Sequence, residues 1–204
     1  PHHNKDVYEH TLAVLDNVSN NLTARFAALL HDIGKPETFS LSEDGIGHFY
    51  SHHMRGMDIA RDILQRLKFD NKTIESVYVL IKEHMSRYDF LRTSNTKKFI
   101  NRVGIDNLDN LFELQIADIK GSKPPYDIEN VLKLKEEVKR VIEEKQPLTV
   151  KDLKINGYDL IEIGMMPGKG MGLLLKEMLE LVLENPELNN REYLIDYAKD
   201  WIGL

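Results

Sequence analysis

The amino-acid sequence predicts an all-α fold. Along most of the chain, apolar residues recur at intervals of three and four, the period of a helix with one buried face, rather than at the interval of two that marks a half-buried strand. Hydrophobic residues make up 42% of the 204 residues, enough for one sizeable core. The twelve glycines and seven prolines are scattered and form no repeat or low-complexity tract. We therefore expect a helical bundle.

Four helices are predicted in the first part of the chain. Gly34 and Pro36 end the second of them, and Ser51 is the expected N-cap of the third. Between these two helices, Asp44 and Gly45 mark a loop over residues 43–49. The predicted helical spans are 5–18, 22–30, 52–67 and 71–85.

The second part of the chain also predicts helices. Two short ones are expected to end at Gly104 and Gly121, each in the left-handed conformation common at helix ends. A Lys/Glu-rich helix over residues 128–145 is interpreted as a solvated spacer. Thr149 followed by Asp152 indicates a new helix start, and a distinct C-terminal subregion is expected from about residue 146. It contains a turn at 156–157, a glycine-rich segment over 164–172, an apolar helix over 173–183 and a last helix carrying Tyr193, Tyr197 and Trp201.

Composition limits the kinds of site that the chain can build. There is no cysteine, so any metal must be held by imidazole and carboxylate groups. With 27 basic and 33 acidic side chains, the net charge of -6 disfavours long polyanions unless a local basic patch exists. No apolar run approaches the roughly 20 residues of a membrane span, and no secretory signal is visible, so we expect a cytoplasmic protein with no membrane partner.

The histidines are clustered. All eight lie at or before position 84, and helical spacing turns the first of them on a helix, His10, toward the core. His10 lies three residues after Val7 and four before Val14 on the first helix. His31 and Asp32 are adjacent at the end of the second helix, from which both can reach one ion. A buried carboxylate with no cation would be costly, which favours a metal over a purely structural role.

Two further groups are predicted to face the interior. His84 continues the apolar stripe of the fourth helix, and Asp118 lies seven residues after Leu111 and four after Leu114. Three inward histidines and two inward acids require mutual neutralisation, which a divalent ion supplies. On the third helix, His52 and His53 each lie about 50° from the centre of the apolar face, so periodicity does not choose between them. We expect His2, His3 and His48 to be exposed or structural.

These residues carry a family resemblance. The pattern of His10, His31-Asp32-Ile33-Gly34-Lys35 and Asp118 resembles the signature of the HD phosphohydrolase superfamily. More narrowly, the segments 6–11, 29–36, 49–52 and 117–118 are similar to the HD domain of bacterial tRNA nucleotidyltransferases, the CCA-adding enzymes and their poly(A) polymerase relatives. The segments 148–153, 156–157 and 167–168 resemble the helical region that follows that domain. The likeness thus covers nearly the whole chain.

The resemblance implies a domain organisation and a set of ligands. It implies an HD-domain helical bundle over residues 1–145 and a small C-terminal helical segment over 146–204. Alignment over 49–56 favours His52 over His53. His10, His31, Asp32 and Asp118 would then bind one divalent ion, and His52 and His84 would hold a second ion that Asp32 bridges. The nucleotidyltransferase palm motif, a Gly-Ser pair followed by paired aspartates, does not occur in this sequence. The chain is therefore either a free-standing relative or a fragment of a larger nucleotidyltransferase, and it is not expected to add nucleotides by itself.

The resemblance also implies a function. The expected activity is metal-dependent hydrolysis of a phosphoester on a nucleotide or RNA end, including 2′,3′-cyclic phosphates, with Asp32 and Lys35 as catalytic residues. Lys35 would neutralise phosphate charge, and Arg55 is a weaker substrate-binding candidate. Manganese, iron, nickel, magnesium and zinc all suit the nitrogen and oxygen ligands. The alternative is a non-catalytic module that binds RNA or tRNA for a separate nucleotidyltransferase domain, with the loop over 168–172 accepting a phosphate.

Overall fold

The computed structural model describes residues 6–86 and 93–203, and within these ranges it confirms the all-α prediction. The chain divides into two compact units, one formed by residues 1–89 and 103–135 and the other by residues 90–102 and 136–204. The division into 1–145 and 146–204 stays a prediction. No helix in the described part of the chain has the length and apolar character needed to cross a membrane.

The first unit carries most of the predicted helices. Its elements are α1 (Val7–Asp16), α2 (Leu22–Leu30), α3 (Lys35–Thr38), β1 (Phe39–Leu41), β2 (Gly47–Phe49), α4 (His52–Arg66), α5 (Asn71–Glu83) and α7 (Leu108–Gly121). Helix α2 contacts α1, α5 and α7, and α4 packs along α5. The side chains of Val14, Leu64, Val77 and Leu114 are fully buried in this unit. Short polar caps begin three of the helices, because the carboxamide or carboxylate oxygens of Asp6, Asn21 and Asp70 accept hydrogen bonds from first-turn amides.

Of two local expectations in this unit, one was wrong and the other holds only for the position of the residue. Residues 47–49 do not lie in a loop, since they form β2, which pairs antiparallel with β1 and places Phe39 opposite Phe49. The run is too short for its strand pattern to stand out from a loop in the sequence. Ser51 does precede α4, but it adopts a left-handed conformation (φ 56°) and its side chain makes no capping hydrogen bond.

The remaining helices are α6 (Thr93–Val103), α8 (Glu129–Glu143), α9 (Gly157–Glu162), α10 (Lys169–Glu184) and α11 (Arg191–Ile202). The second unit has its own core, in which Leu160, Leu174, Met178, Val182 and Leu194 are fully buried. Helix α8 is not solvated all round, as a spacer would be, because one apolar stripe of it is buried. That stripe consists of Leu134, Val138 and Val141.

Helix ends in the second unit differ from the prediction at two places. Asn156 and Gly157 do not form a free turn, because Asn156 caps α9 and Asp159 accepts a hydrogen bond from the Asn156 amide at 2.7 Å. Helix α10 starts at Lys169, four residues before the predicted start, so the glycine-rich segment 169–172 is its first turn and not a loop. Thr149 and Asp152 do form the predicted capping box.

Gly121 is also different from expectation. It is the last residue of α7 and does not have a positive φ, whereas Gly104 does (φ 79°). A Cβ atom on Gly121 would lie 2.6 Å from Cγ2 of Val14, so this glycine permits the close approach of α7 to α1. The residue serves packing and not chain reversal.

Gly34 holds the start of α4 close to the end of α2. A Cβ atom at Gly34 would lie 2.2 Å from the carbonyl oxygen of His52 and 2.6 Å from the amide nitrogen of Gly56. Both neighbours are backbone atoms, so they cannot move aside as a flexible side chain does. The absence of a side chain at Gly34 therefore sets the position of His52.

We expect Gly34→Ala to destabilise the protein by about 3 kcal/mol, because it overpacks two backbones. The matched control is Gly56→Ala, whose added Cβ would meet only ordinary contacts of 3.4 Å or more. That control should change stability by about 1 kcal/mol or less, because alanine is also the better helix former. Urea unfolding of both variants measures the difference. Equal stability of the two variants would contradict the close-approach role.

Candidate metal centre

Helix ends in the first unit bring a set of titratable side chains to one place. His31 is the C-cap residue of α2, and Asp32 follows it. His84 is the C-cap residue of α5. His52 is the first residue of α4. His10 and Asp118 come from the middle of α1 and from the last part of α7, which pack on each other. The structure therefore brings together all six residues proposed as metal ligands: His10, His31, Asp32, His52, His84 and Asp118.

Asp32 lies at the centre of this cluster. Its Oδ2 atom is 3.3 Å from Nε2 of His31 and 3.7 Å from Nε2 of His10, and its Oδ1 atom is 3.3 Å from Nε2 of His52. The carboxylate is 4% exposed. Lys35, whose Nζ lies 2.5 Å from Oδ2, is its ion-pair partner. Both oxygens of this carboxylate thus face cationic or imidazole nitrogen groups.

Three of the imidazoles are held in the same orientation. Nδ1 of His31, His52 and His84 lies 2.8, 2.9 and 2.7 Å from the carbonyl oxygen of the residue three positions earlier. A carbonyl can only accept, so each Nδ1 carries a hydrogen, and in the neutral ring Nε2 then has the lone pair that a metal needs. This is the tautomer that metal-binding histidines adopt when the second ring nitrogen is fixed by a hydrogen bond.

The direction of those lone pairs indicates a cation. Nε2 of His31 and Nε2 of His52 are buried, and neither makes a hydrogen bond of acceptable geometry within the described residues. Buried acceptors are rarely left without a partner. A divalent ion supplies one for each ring, so the donor set fits a metal.

The possible ligand atoms form two groups. His10, His31 and Asp32 make one triad, and Asp32, His52 and His84 make the other, with the ligand atoms of each triad within 4.8 Å of one another. Asp32 belongs to both triads. Asp118 lies beside the first, because its Oδ1 is 3.0 Å from Nε2 of His10 and 3.7 Å from Nε2 of His31.

The electrostatics of the cluster follow from burial and close charges. Burial opposes ionisation of Asp32, but contacts with the imidazoles of His31 and His52 and the charge of Lys35 hold its pKa far below the usual range. Burial lowers the pKa of His84 to about 3, so this ring is neutral at physiological pH. A neutral imidazole and an ionised carboxylate are the forms that bind metal.

Lys35 and Arg55 occupy different environments. Lys35 is 9% exposed and is paired with Asp32 inside the cluster. Arg55 is on the exposed face of α4, where its Nε lies 2.5 Å from Oε2 of Glu37. Only Lys35 is therefore in direct contact with a proposed ligand.

The other histidines lie outside the two triads. The ring of His53 is half-buried and stands edge-on to the rings of His52 and His84, at centroid distances of 5.9 and 6.4 Å. His48 is on β2 and stacks on the ring of Tyr50 at 5.0 Å. His2 and His3 lie outside the described residues.

One buried residue near the cluster was missed. Nε2 of Gln115 lies 3.1 to 3.4 Å from the carbonyl oxygens of Glu83, His84 and Ser86, so its two N–H groups can serve the end of α5 that carries His84. Gln115 precedes Asp118 by three residues, so both side chains share one face of α7. That spacing was visible in the sequence and could have identified this residue.

Comparison with known proteins identifies the relatives of the chain. A family model of the HD domain matches residues 7–155. An A-adding tRNA nucleotidyltransferase of Deinococcus radiodurans is 29% identical over 188 residues, which cover 87% of this chain and 43% of the relative. A CC-adding tRNA nucleotidyltransferase of Thermus thermophilus is 32% identical over 208 residues, covering 98% of this chain and 46% of the relative.

A multifunctional CCA protein of Azoarcus sp. is 32% identical over 102 residues, which cover 48% of this chain and 24% of the relative. The chain thus spans less than half the length of each of these three relatives. These matches confirm the resemblance to the HD region of tRNA nucleotidyltransferases. Because the family model covers most of the chain and every helix that supplies a ligand to the two triads, the chain belongs to the HD domain family.

Proposed function

We propose that this chain is a metal-dependent phosphohydrolase that acts on a phosphoester of a nucleotide or an RNA end, with nucleoside 2′,3′-cyclic phosphates as the first class to test. The observation that carries the proposal is the buried carboxylate of Asp32, which two histidine-containing triads share. We place its activity in the cytoplasm, where nucleotides and RNA ends are available.

The proposed division of ligands follows the two triads. His10, His31, Asp32 and Asp118 would hold one divalent ion, and His52 and His84 would hold a second, with Asp32 between them. Such ions orient a phosphate oxygen and lower the pKa of a water molecule so that it can attack. Manganese, iron, nickel, magnesium and zinc are all compatible with a set of imidazole and carboxylate ligands that lacks sulfur.

Lys35 and Arg55 are the proposed phosphate-binding residues. Lys35 is buried beside Asp32, and in this low-dielectric position its ammonium group can neutralise charge that develops on a phosphate oxygen. Arg55 is paired with Glu37 on the surface. Because exposed ion pairs contribute little free energy, a substrate phosphate can recruit Arg55 at small cost.

The second candidate function is a non-catalytic module that binds tRNA or a separate nucleotidyltransferase domain. The names of the relatives favour it, since the two with the widest coverage add nucleotides to tRNA and are more than twice as long as their matched regions. Its proposed phosphate contact, the segment 168–172, forms the start of α10. The cluster of possible metal ligands in the first unit instead favours the phosphohydrolase function.

A turnover screen distinguishes the two functions. Cyclic and linear nucleotides are tested with each of the five divalent metals, using the full chain. We expect hydrolysis that His31→Ala reduces by at least about 1000-fold and Lys35→Met by about 10- to 100-fold. The control is His48→Ala, a histidine outside both triads, which should keep wild-type turnover. Folded, metal-loaded protein that hydrolyses nothing in the panel and binds tRNA tightly would assign the chain to the binding module.

A further inference from the structure

The second unit contains a polar cleft of about 520 Å³ that the proposed function does not use. Its walls include the first two turns of α6, the last turn of α8 with the residues that follow it, and the end of α10. Ser94 and Lys97 lie on the first wall, Arg140, Glu144 and Gln146 on the second, and Glu184 on the third. Most of the residues that line the cleft are charged or can form hydrogen bonds, which favours a polar ligand.

Lys97 is the unusual residue of this cleft. It is 3% exposed, yet among the described residues it makes no hydrogen bond and no ion pair. The adjacent Lys98, by contrast, lies 2.6 Å from Oε1 of Glu184 and 3.4 Å from Oε2 of Glu180. Burial lowers the pKa of Lys97, although Glu144 and Glu184 act against this shift through space. The stem of Lys97 is thus buried while the residue lines the cleft, and its ammonium group has no direct partner among the described residues; a bound anion would supply one.

A second group in the cleft also lacks a partner. Oε1 of Gln146 is buried and makes no hydrogen bond within the described residues, while Nε2 of the same side chain donates to Glu144 at 2.8 Å. The contact with a carboxylate fixes which end of the amide is the nitrogen, so the free end is an acceptor. The hydroxyl of Ser94, in the first turn of α6, supplies a further donor or acceptor.

The other charged side chains of the cleft already have ion-pair partners within the protein. The guanidinium of Arg140 binds Glu137 at 2.6 Å, Glu144 at 2.5 Å and the hydroxyl of Thr93 at 3.1 Å. Lys97, Ser94 and Gln146 are therefore the groups left to bind a ligand. They offer an ammonium, a hydroxyl and an acceptor oxygen.

We infer that this cleft binds a small molecule that carries one compact oxyanion, a carboxylate or a phosphate, next to an N–H or O–H group. The oxyanion accepts hydrogen bonds from Lys97 and Ser94, and the neighbouring donor binds Oε1 of Gln146. The carboxylates of Glu137, Glu144, Glu180 and Glu184 on and around the cleft repel a long polyanion.

Residue-resolved NMR titration of the full chain tests this inference independently of the metal centre. The probes are inorganic phosphate, glycolate, acetate and a single-stranded oligonucleotide. We expect phosphate or glycolate to shift the amides of residues 94–97 and the side-chain amide of Gln146 saturably, with a Kd on the order of 1 mM. Acetate, which lacks the donor, should bind several-fold more weakly than glycolate. Anions that bind at the metal centre shift residues 31–35 instead and are distinguished in the same spectra.

Two variants and one control accompany the titration. Lys97→Met keeps the length of the side chain and should weaken anion binding at least tenfold, and Gln146→Leu should remove the preference for glycolate over acetate. Lys139→Met, an exposed lysine on α8 outside the cleft, should leave the titration unchanged. Saturable shifts with phosphate and not with glycolate would show that the oxyanion of the ligand is a phosphate. Saturable shifts with glycolate would show that it is a carboxylate. The inference would be overturned if neither small anion shifts these resonances, or if Lys97→Met binds the anion as tightly as the wild type does. Tighter binding of the oligonucleotide than of either small anion would also overturn it.

Discussion

Asp32→Ala is expected to remove all bound metal and to lower the stability of the protein. The carboxylate belongs to both triads, so no complete set of ligands survives its loss. The change also leaves the buried ammonium of Lys35 without its ion-pair partner, and breaking a buried pair in this way costs about 3–5 kcal/mol. The free energy that bound metal adds to the folded state is lost as well.

Elemental analysis and thermal unfolding measure these two effects. Asp32→Asn keeps the shape of the side chain and separates loss of charge from loss of packing. Asp58→Ala, an exposed aspartate on α4, is the control and should keep wild-type metal content and Tm. Full metal content in purified Asp32→Ala would show that the ligands have been assigned wrongly.

His84→Ala is expected to halve the bound metal without unfolding the protein. His84 belongs to the second triad only, so the site formed by His10, His31 and Asp32 keeps its ligands. Because burial holds the pKa of His84 near 3, the ring is neutral and its removal leaves no unpaired charge. Loss of the hydrogen bond to the carbonyl oxygen of Ile81 costs about 1 kcal/mol.

Metal counting on the purified variant tests the second site. His53→Ala is the matched control, since His53 is close to His52 and His84 but belongs to neither triad. It should retain the wild-type count. A His84→Ala protein that still binds as much metal as the wild type would rule out a role for this ring.

Helical periodicity predicted much of the cluster. His10, His84 and Asp118 stand at positions that repeat the apolar spacing of their helices, and such positions face the core whatever the packing partner is. Helical periodicity could not decide whether His52 or His53 faces the cluster, because both lie about equally far from the centre of the apolar face. The structure turns His52 toward Asp32 through the hydrogen bond from its Nδ1 to the carbonyl oxygen of Phe49, an interaction with the strand that precedes the helix.

What the sequence could not supply depends on contacts between distant segments. Lys35 and Asp32 are only three residues apart in the sequence, but the burial of their ion pair depends on the packing of more distant helices around the end of α2. Gly121 is required by the close approach of Val14 on α1, and Gly34 is required by the backbone of α4. The reason for these residues lies in the packing and not in the local sequence pattern.

Anomalous diffraction from crystals of the full chain soaked in manganese tests the metal centre most directly. The structure predicts two anomalous peaks, one in contact with His10, His31 and Asp32 and the other in contact with Asp32, His52 and His84. A single peak away from both triads, or the absence of any peak beside Asp32 in fully soaked crystals, would contradict the assignment of these residues as a two-metal site.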